Sequence, residues 1–364
     1  MQAVDFTVKF IDASSWQEMS WFSSGGTRAK KILLDDEGDQ YYFKCSEQKP
    51  ARDNKPAKHY KFEFWNEIIA YQLGVRLGLN MLRYDVAVYE TEIGCLSPKM
   101  TKSDTEELLE LGRFMTAVNP GFLPENNQAR KEYTFQLLHK TLSSFRLEKY
   151  WSFVLETLLF DAMIGNTDRH QENWAFIGRS GLVANSLQAF EAEIKESGFT
   201  NVIPRFFRGL YNWIFDSKKN ELNQLGKRIL LSSKNIRSAA PIYDSGSSLA
   251  RELTDQRVEE LLADPRKFEK YYQQGKSELH WDGQKCTHLE LIQRILASER
   301  SSDLKKAASF LSKWHPSIIE EILENIDKNL PTQWEEYRIP ESRKNLMVKL
   351  VTSRTEELIA LVGV

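Results

Sequence analysis

The first hundred residues show the alternation of apolar and polar positions that is typical of β-strands. Residues 4–11 alternate, and two further apolar runs, Lys31–Leu34 and Gln40–Cys45, flank the turn sequence Asp-Asp-Glu-Gly-Asp at 35–39. Acidic residues and a glycine between two such runs are the composition of a tight turn. The pattern therefore predicts a strand over 4–11, followed by a β-hairpin.

One stretch of this region, residues 61–78, has helical spacing instead. Its apolar residues recur three and four positions apart, and Gly78 follows the last of them as a stop signal. Two more strands are predicted after it, over residues 84–89 and 93–96. The first hundred residues are thus predicted to form a small strand-rich unit with one packed helix.

Beyond about residue 104 the pattern becomes helical. A strongly apolar helix is predicted over residues 148–164, with its end at Gly165. Residues 178–240 allow no clear assignment. Residues 254–364 are helical in pattern, with breaks at glycine and proline: Pro265, Gly275, Gly283, Pro316, Pro331 and Pro340.

Together these patterns predict an α+β fold with two lobes. The small β-rich N-lobe is expected over residues 1–100 and the large helical C-lobe over residues 101–364, with the hinge near 97–103. The chain has 364 residues, and a chain of that length usually divides into two units that share a cleft.

Composition narrows the functional classes. The net charge of −2 gives no overall attraction to nucleic acid or anionic membranes, so direct nucleic-acid binding is not expected. No apolar run approaches the roughly 20 residues that span a bilayer, and the N-terminus does not resemble a signal peptide. Cys45, Cys95 and Cys286 are odd in number and far apart, which favours a reducing compartment over a disulfide framework. We therefore expect a cytoplasmic protein.

A polar loop follows the predicted helix 148–164. It reads Asn-Thr-Asp-Arg-His-Gln-Glu-Asn from 166 to 173 and precedes the apolar run 174–177. A loop held between two buried elements is placed rigidly, as catalytic groups require. Phosphoryl transfer needs a carboxylate to orient or deprotonate the attacking hydroxyl and a carboxamide oxygen that reaches a metal. Asp168 and Asn173 have that spacing, and His170 is a third candidate catalytic residue in the loop.

An isolated loop aspartate is most often a helix cap or a turn residue, but a second acidic turn weakens that interpretation here. The run Pro-Ile-Tyr-Asp-Ser-Gly from 241 to 246 places Asp244 after a short apolar strand and just before Gly246. The metal-binding aspartate of protein kinases occupies this kind of turn. Asp244 and Asn173 are therefore candidate magnesium ligands.

The N-lobe offers the complementary cationic and phosphate-binding groups. A Gly-rich segment lets backbone N–H groups approach phosphates, although a glycine pair alone is weak evidence. Lys44 lies on the following predicted strand and needs a carboxylate on the next helix to hold it. Glu67 is favoured, and Glu63, one turn earlier, is the alternative. The Gly-rich segment consists of Ser23, Ser24, Gly25, Gly26 and Thr27.

At this point the sequence resembles the HipA-like serine/threonine kinases. Three runs carry the resemblance: N-T-D-R-H-Q-E-N-W at 166–174, I-Y-D-S-G-S-S-L at 242–249 and N-E-I-I-A-Y-Q-L-G-V-R-L-G-L at 66–79. The resemblance implies a bacterial protein kinase with a kinase-like fold that uses ATP and Mg²⁺ to phosphorylate a protein. It also implies an antitoxin or other regulatory partner, and it leaves delivery into another cell open.

The family pattern implies a role for each matching residue. Asp168 would be the catalytic base, and Asn173 and Asp244 would hold magnesium. Lys44 would contact the phosphates and pair with Glu67. The Gly-rich segment would cover ATP, and the backbone of Lys99, Met100 and Thr101 would meet the adenine.

In these kinases a serine of the Gly-rich loop can be autophosphorylated, which switches the enzyme off. Ser23 stands at the matching place, with Ser24 and Thr27 as alternatives. A phosphate there would repel the phosphates of the nucleotide. Long family members carry an extra domain before this loop, whereas here the loop begins at Ser23. The resemblance therefore does not by itself imply the contacts which that domain makes with antitoxin and DNA.

Two alternatives remain open at this stage. The N-T-D-R-x-x-x-N-W string and the second acidic motif also resemble type II phosphatidylinositol 4-kinases, but a cysteine-rich palmitoylation stretch and a basic amphipathic helix are lacking. The other alternative is a pseudokinase that acts as a binding module. The presence of every expected polar group speaks against it.

Overall fold

The structure is a computed structural model that describes most of the chain: residues 6–19, 30–49, 57–102, 105–119, 122, 131–179 and 236–364. The Gly-rich segment 23–27 and residues 180–235 lie outside these ranges.

The N-terminal part is a curled sheet with one helix packed on it, and we refer to it as the β-rich lobe. In the described residues six strands form one sheet in the order β1-β7-β8-β4-β3-β2, where β1 and β7 are parallel and the other neighbours antiparallel. The elements are β1 (Phe10–Asp12), β2 (Gln17–Glu18), β3 (Lys31–Leu34), β4 (Gln40–Cys45), β5 (Gln48–Lys49), β6 (Lys58–His59), α1 (Glu63–Leu77), β7 (Asp85–Tyr89) and β8 (Glu92–Pro98).

The predicted hairpin and the predicted helix are confirmed. β3 and β4 pair antiparallel across a turn in which the Asp35 N–H bonds the Asp39 carbonyl at 3.1 Å. α1 ends at Gly78, whose φ of +90° lies in the left-handed region that glycine adopts at no steric cost. The helix packs against β7 and β8, so its inner face looks into the sheet.

The predicted strand over residues 4–11 is wrong for residues 6–9, because β1 begins at Phe10; residues 4 and 5 lie outside the described ranges. The Lys9 carbonyl still accepts from the Val86 N–H of β7 at 3.0 Å, but two other backbone groups before Phe10 bond to side chains. The Lys9 N–H donates to Asp85 Oδ1 at 3.0 Å, and the Phe6 carbonyl accepts from the Gln72 amide at 3.0 Å. β1 lies at the edge of the sheet and has one neighbouring strand, so ending its pairing early breaks hydrogen bonds on one side only.

The rest of the described chain forms the helical lobe. Its elements are β9 (Glu106–Glu110), α2 (Leu111–Val118), α3 (Phe135–Ser144), α4 (Trp151–Ile164), β10 (Ala175–Arg179), β11 (Ile236–Ala239), α5 (Asp255–Ala263), α6 (Pro265–Gln273), α7 (His288–Leu296), α8 (Ser301–Ala307), α9 (Pro316–Asn325) and α10 (Glu341–Val362). Two of the predicted breaks are helix starts, because Pro265 and Pro316 each occupy the first position of a helix. The N–H that proline lacks would have no partner within the helix at that position.

The expectation of helix from residue 104 is wrong for β9. Glu106–Glu110 is a strand that pairs antiparallel with β10, and β10 pairs with β11 on its other side. Glutamate and leucine favour helices locally. The ladder with β10 and the burial of Leu109 override that preference.

The core of the helical lobe surrounds α4. This helix is apolar on almost every side and packs against α7, α8 and α10. Its buried residues belong to one continuous core that also includes those of α1. Within the described residues, every helix is too short or too polar to cross a membrane. The central placement of α4 means that the loop after it emerges between the two lobes.

Candidate active site

Lys44 lies at the centre of a buried charge cluster between the lobes. Its Nζ is 2.5 Å from Glu67 Oε1 and 2.5 Å from Asp244 Oδ1. The Lys44 side chain is only 8% exposed and that of Glu67 1%. One ammonium group therefore joins residues from β4, α1 and a turn of the helical lobe that lies 200 positions away in the sequence.

The strand pattern explains why Lys44 points there. Side chains alternate between the two faces of a strand. Phe43 packs with Leu33 and Leu96 in a small apolar cluster on one face of the sheet. Lys44 follows Phe43 and so faces the opposite side, where α1 covers the sheet.

Helix α1 holds the turn around Asp244 through two adjacent residues. Glu67 Oε2 accepts a hydrogen bond from the Ser245 N–H at 2.7 Å. The Asn66 amide donates to the Ser248 carbonyl at 2.7 Å and to the Gly246 carbonyl at 3.3 Å. A Cβ on Gly246 would lie 2.9 Å from Glu67 Oε1, so the close approach of the turn to α1 needs glycine at that position.

Of the two candidate partners of Lys44, the structure places Glu67 in contact with it. Glu63 lies one turn earlier and contacts Arg251 instead, at 2.6 Å. The sequence spacing alone could not separate these carboxylates, because both lie on the same side of α1.

Asp244 adopts an uncommon backbone conformation with φ of +55°. Its N–H donates to the Tyr84 hydroxyl at 3.4 Å, beneath the turn. Burial, together with the neighbouring charges of Glu67 and Asp244, raises the pKa of Tyr84 well above its ordinary value. Tyr84 is thus a neutral support of this turn at physiological pH.

The loop after α4 lies against the same turn. Ser247 Oγ donates to Asp168 Oδ2 at 3.4 Å, and the Thr167 N–H donates to the Ser247 carbonyl at 3.2 Å. The Asn173 amide donates to the Asp168 carbonyl at 2.9 Å. Because the amide nitrogen of Asn173 is used in this way, its oxygen remains as the atom able to bind a cation.

His170 stands in the same loop and has a local structural role. Its Nδ1 accepts from the Glu172 N–H at 3.4 Å and so caps the 3₁₀ turn Gln171–Asn173. The ring is 29% exposed and 4.0 Å from the Glu172 carboxylate. These contacts help to shape the loop, and a catalytic role of His170 stays a prediction.

Arg169 was not predicted from the sequence, yet it joins the two acidic turns. Its Nε and Nη2 donate to the two carboxylate oxygens of Asp161 at 2.8 and 2.9 Å. Its Nη1 donates to the carbonyls of Tyr243 and Asn173, and Nη2 also reaches Ser245 Oγ at 3.2 Å. One buried guanidinium therefore holds both neighbours of Asp244 and the residue at the end of the polar loop.

The Arg169–Asp161 pair is almost fully buried, with each side chain 2% exposed. Burial lowers the pKa of Arg169, but the charge and hydrogen bonds of Asp161, together with the nearby Asp244 and Tyr243, outweigh it and the net pKa is raised. Asp161 also accepts from the Asn166 amide at 2.9 Å. The available sequence signal was an aspartate in the last turn of a strongly apolar helix, eight residues before an arginine.

Gly165 ends α4 in the left-handed conformation, with φ of +68°. A Cβ at this position would meet the guanidinium of Arg354, which α10 places beneath the start of the polar loop. The backbone angle therefore favours glycine at residue 165, and an added Cβ would also displace the Arg354 guanidinium.

We expect Gly165→Ala to destabilise the protein by more than the roughly 1–2 kcal/mol that a left-handed alanine costs. The excess arises because Arg354 must move as well. Gly38→Ala is the matched control, since Gly38 has φ of +85° and no neighbouring atom within 4 Å of an added Cβ. Urea denaturation of both variants gives the difference, and equal losses of stability would show that Arg354 adapts without cost.

The residues expected near the adenine lie on the connection from β8 to the helical lobe. The Lys99 N–H donates to the Gln40 carbonyl at 2.9 Å, which extends the pairing of β8 with β4. Met100 packs against the main core while remaining partly exposed, and Thr101 is likewise partly exposed. The expected Gly-rich residues Ser23, Ser24, Gly25, Gly26 and Thr27 lie outside the described residues.

The donor set suits a magnesium ion that is shared with a phosphate ligand. Among the described residues no three His, Cys, Asp or Glu side chains cluster as a metal site. The loop after α4 instead offers the Asp168 carboxylate and the Asn173 carboxamide, and the turn at 244 offers the Asp244 carboxylate. Mg²⁺ typically takes one or two protein carboxylates and completes its shell with phosphate oxygens and water, so the residues fit such an ion.

Comparison with solved structures gives a similar fold over nearly the whole chain. The Helicobacter pylori proinflammatory kinase CtkA superposes with a TM-score of 0.63 at 16% identity, covering 97% of this chain and 96% of that one. HipA from the Shewanella oneidensis MR-1 toxin–antitoxin complex with HipB and operator DNA gives a TM-score of 0.42 at 11% identity, covering 96% and 69%.

No protein-family model and no curated protein sequence matches the chain. The chain thus has the two-lobed α+β fold of a known kinase, CtkA, at low sequence identity.

Proposed function

We propose that this chain is an ATP- and Mg²⁺-dependent protein serine/threonine kinase of the HipA-like type. The observation that carries the proposal is the buried contact of Lys44 with both Glu67 and Asp244. A strand lysine held by a helix carboxylate, beside an acidic turn, is the arrangement that protein kinases use to bind the phosphates of ATP. The CtkA-like fold supports the same assignment.

Asp168 is proposed as the catalytic base. Its carboxylate accepts a hydrogen bond from Ser247, and its backbone carbonyl is fixed by Asn173. These contacts orient the side chain, so that it can take the proton from an attacking serine or threonine hydroxyl. Asp168 is partly exposed at the edge of the cluster, which leaves it accessible to a protein substrate.

Asn173 and Asp244 are proposed to hold magnesium through their side-chain oxygens. When bound with ATP, the ion neutralises charge on the phosphates during transfer. Lys44 would hold the α- and β-phosphates while Glu67 keeps its ammonium in place. The backbone at Lys99, Met100 and Thr101 is proposed to receive the adenine.

Autophosphorylation at Ser23, with Ser24 and Thr27 as alternatives, is part of the same proposal. It rests on the resemblance of the sequence to HipA-like kinases and not on the described residues. A regulatory or antitoxin partner likewise remains a proposal, supported only by that resemblance.

The proposal is tested by incubating the purified chain with ATP and Mg²⁺ and mapping any added phosphate by mass spectrometry. Phosphate in segment 23–27, dependent on Mg²⁺ and absent after chelation, is the expected result. Nucleotide binding without transfer to this chain or to generic protein substrates would instead favour a pseudokinase.

We expect Asp244→Asn to lower Mg²⁺-dependent transfer by about 10²–10³-fold, because it removes a charge that holds the ion. Asparagine tolerates the left-handed backbone of residue 244, so the turn is retained. Glu90→Gln is the matched control: Glu90 has a similar φ of +54° at the turn between β7 and β8. Initial rates over a range of Mg²⁺ concentrations measure the effect, and a variant with wild-type metal dependence would contradict the assigned role.

A further inference from the structure

Arg251 forms a buried ion pair across the two lobes, outside the site described above. Its Nη1 lies 2.6 Å from Glu63 Oε1 and 3.5 Å from Glu47 Oε2. The Glu63 side chain is 1% exposed and that of Arg251 15%. The guanidinium also stacks 4.4 Å from the centre of the Tyr60 ring. One side chain of the helical lobe thus contacts three residues of the β-rich lobe.

These contacts converge on the N-terminus of α1. Glu63 is the first residue of the helix, and its other carboxylate oxygen accepts from the Glu47 N–H at 2.8 Å. The N-cap residue Phe62 makes no side-chain capping bond. The Phe64 N–H in the first turn donates instead to Ser46 Oγ at 3.3 Å. The ion pair of Glu63 with Arg251 adds a contact with the helical lobe at the same turn.

The segment that carries Arg251 is held in place by α10. Arg343 on α10 donates to the Leu253 carbonyl at 2.7 Å and to Asp255 Oδ1 at 2.9 Å, and it also reaches the Ala250 carbonyl at 3.4 Å. Its guanidinium lies 5.1 Å from the Phe62 ring. Because the backbone around Arg251 is anchored in this way, the ion pair between Arg251 and Glu63 ties the first turn of α1 to the helical lobe.

Glu63 and Glu67 lie one turn apart on α1 and both face the segment 244–251, as their contacts show. A buried carboxylate that loses its cationic partner is costly and favours a conformation in which water reaches it. For Glu63 that means displacement of the first turn of α1. Glu67 would move with it, away from Lys44.

We propose that Arg251 and Glu63 form an interlobe latch, whose closure holds α1 in the position where Glu67 pairs with Lys44. Arg251 is a positioning residue and touches neither substrate nor nucleotide. The proposed consequence for catalysis rests on the kinase function argued above. The latch itself is a property of the fold and can be measured without any turnover.

The test uses the reactivity of lysines toward acetic anhydride, followed residue by residue with mass spectrometry in the absence of nucleotide. Lys44 is protected by burial in the closed form. Arg251→Met keeps an unbranched apolar stem and removes the guanidinium with its charge. We expect it to raise the acylation rate of Lys44 by about tenfold, the change that a shift of roughly 1.4 kcal/mol in the opening equilibrium gives. Glu63→Gln is expected to raise the same rate. Arg251→Lys is expected to retain most of the protection when labelling is kept low enough that the introduced amine stays unacylated and charged.

Two controls separate the latch from general loss of structure. Lys344 is 14% exposed and pairs with Asp327 at 2.9 Å, within the helical lobe, so its acylation reports on global unfolding. Arg257→Met removes a surface arginine that pairs with Glu260 and is 42% exposed, so it should leave Lys44 protected.

The latch is supported if Lys44 is acylated faster in Arg251→Met, with Lys344 unchanged, and stays protected in Arg251→Lys. Unchanged Lys44 labelling overturns it, and so does an equal rise at Lys44 and Lys344, because that pattern means unfolding of the whole chain. A chain that shows the selective change but transfers no phosphate would keep the latch and refute the kinase function, so the two failures are distinguishable.

Discussion

Asp168→Asn is expected to lower phosphoryl transfer by about 10²–10⁴-fold, the usual contribution of a positioned general base. Asparagine has the size of aspartate, so the contact with Ser247 and the backbone bonds of the loop are retained. What is lost is the ability to accept the proton of the attacking hydroxyl. The initial rate of label transfer from γ-labelled ATP measures the effect at saturating Mg²⁺.

Asp36→Asn provides the control for this variant. Asp36 is exposed in the turn between β3 and β4, at the other end of β4 from Lys44. The control should transfer phosphate at the wild-type rate. If Asp168→Asn were equally active, Asp168 would be a turn residue and the proposed mechanism would lose its base.

The second large effect is expected on stability. Arg169→Ala should destabilise the protein by about 3–5 kcal/mol, because it leaves the Asp161 carboxylate buried without its cationic partner. It also removes the bonds that Arg169 makes to Tyr243, Ser245 and Asn173. The two acidic turns would then separate, so activity should fall even under conditions where the variant remains folded.

Arg257→Ala is the matched control, because it removes an arginine from a surface ion pair with Glu260. Exposed pairs contribute roughly 0–1 kcal/mol, so little change is expected. Equilibrium urea denaturation of both variants gives the two values. A loss for Arg169→Ala no larger than for Arg257→Ala would mean that the buried pair does not hold the site together.

The fold could be predicted best where local sequence and tertiary structure agree. The hairpin of β3 and β4 carries its own turn chemistry, and α1 carries both its apolar face and its stop at Gly78. β9 could not be predicted, because its glutamates and leucines favour a helix and only the ladder with β10 makes it a strand. The start of β1 was misplaced for the same kind of reason, since contacts with α1 and β7 decide where the strand begins.

The site divides along a similar line. Spacing within one loop suggested Asp168 and Asn173, and the short acidic turn suggested Asp244, because each signal is local. The sequence did not predict the role of Arg169, because its partners come from three separate segments. The ion pair of Arg251 with Glu63 could not be predicted either, since the two residues lie 188 positions apart in the sequence. Long-range pairs of charged residues leave no periodic trace from which a sequence could reveal them.

The central claim is that the two acidic turns hold one divalent ion together with a nucleotide. The most direct measurement is the affinity for Mn²⁺, in the presence of a non-hydrolysable ATP analogue, of the wild type, Asn173→Ala, Asp244→Asn and the double variant. If both residues bind the same ion, each single change weakens binding and the double change costs clearly less than the sum, as expected for coupled groups in contact. Strictly additive losses, or no loss in either single variant, would show that the two side chains serve separate sites and would contradict the account.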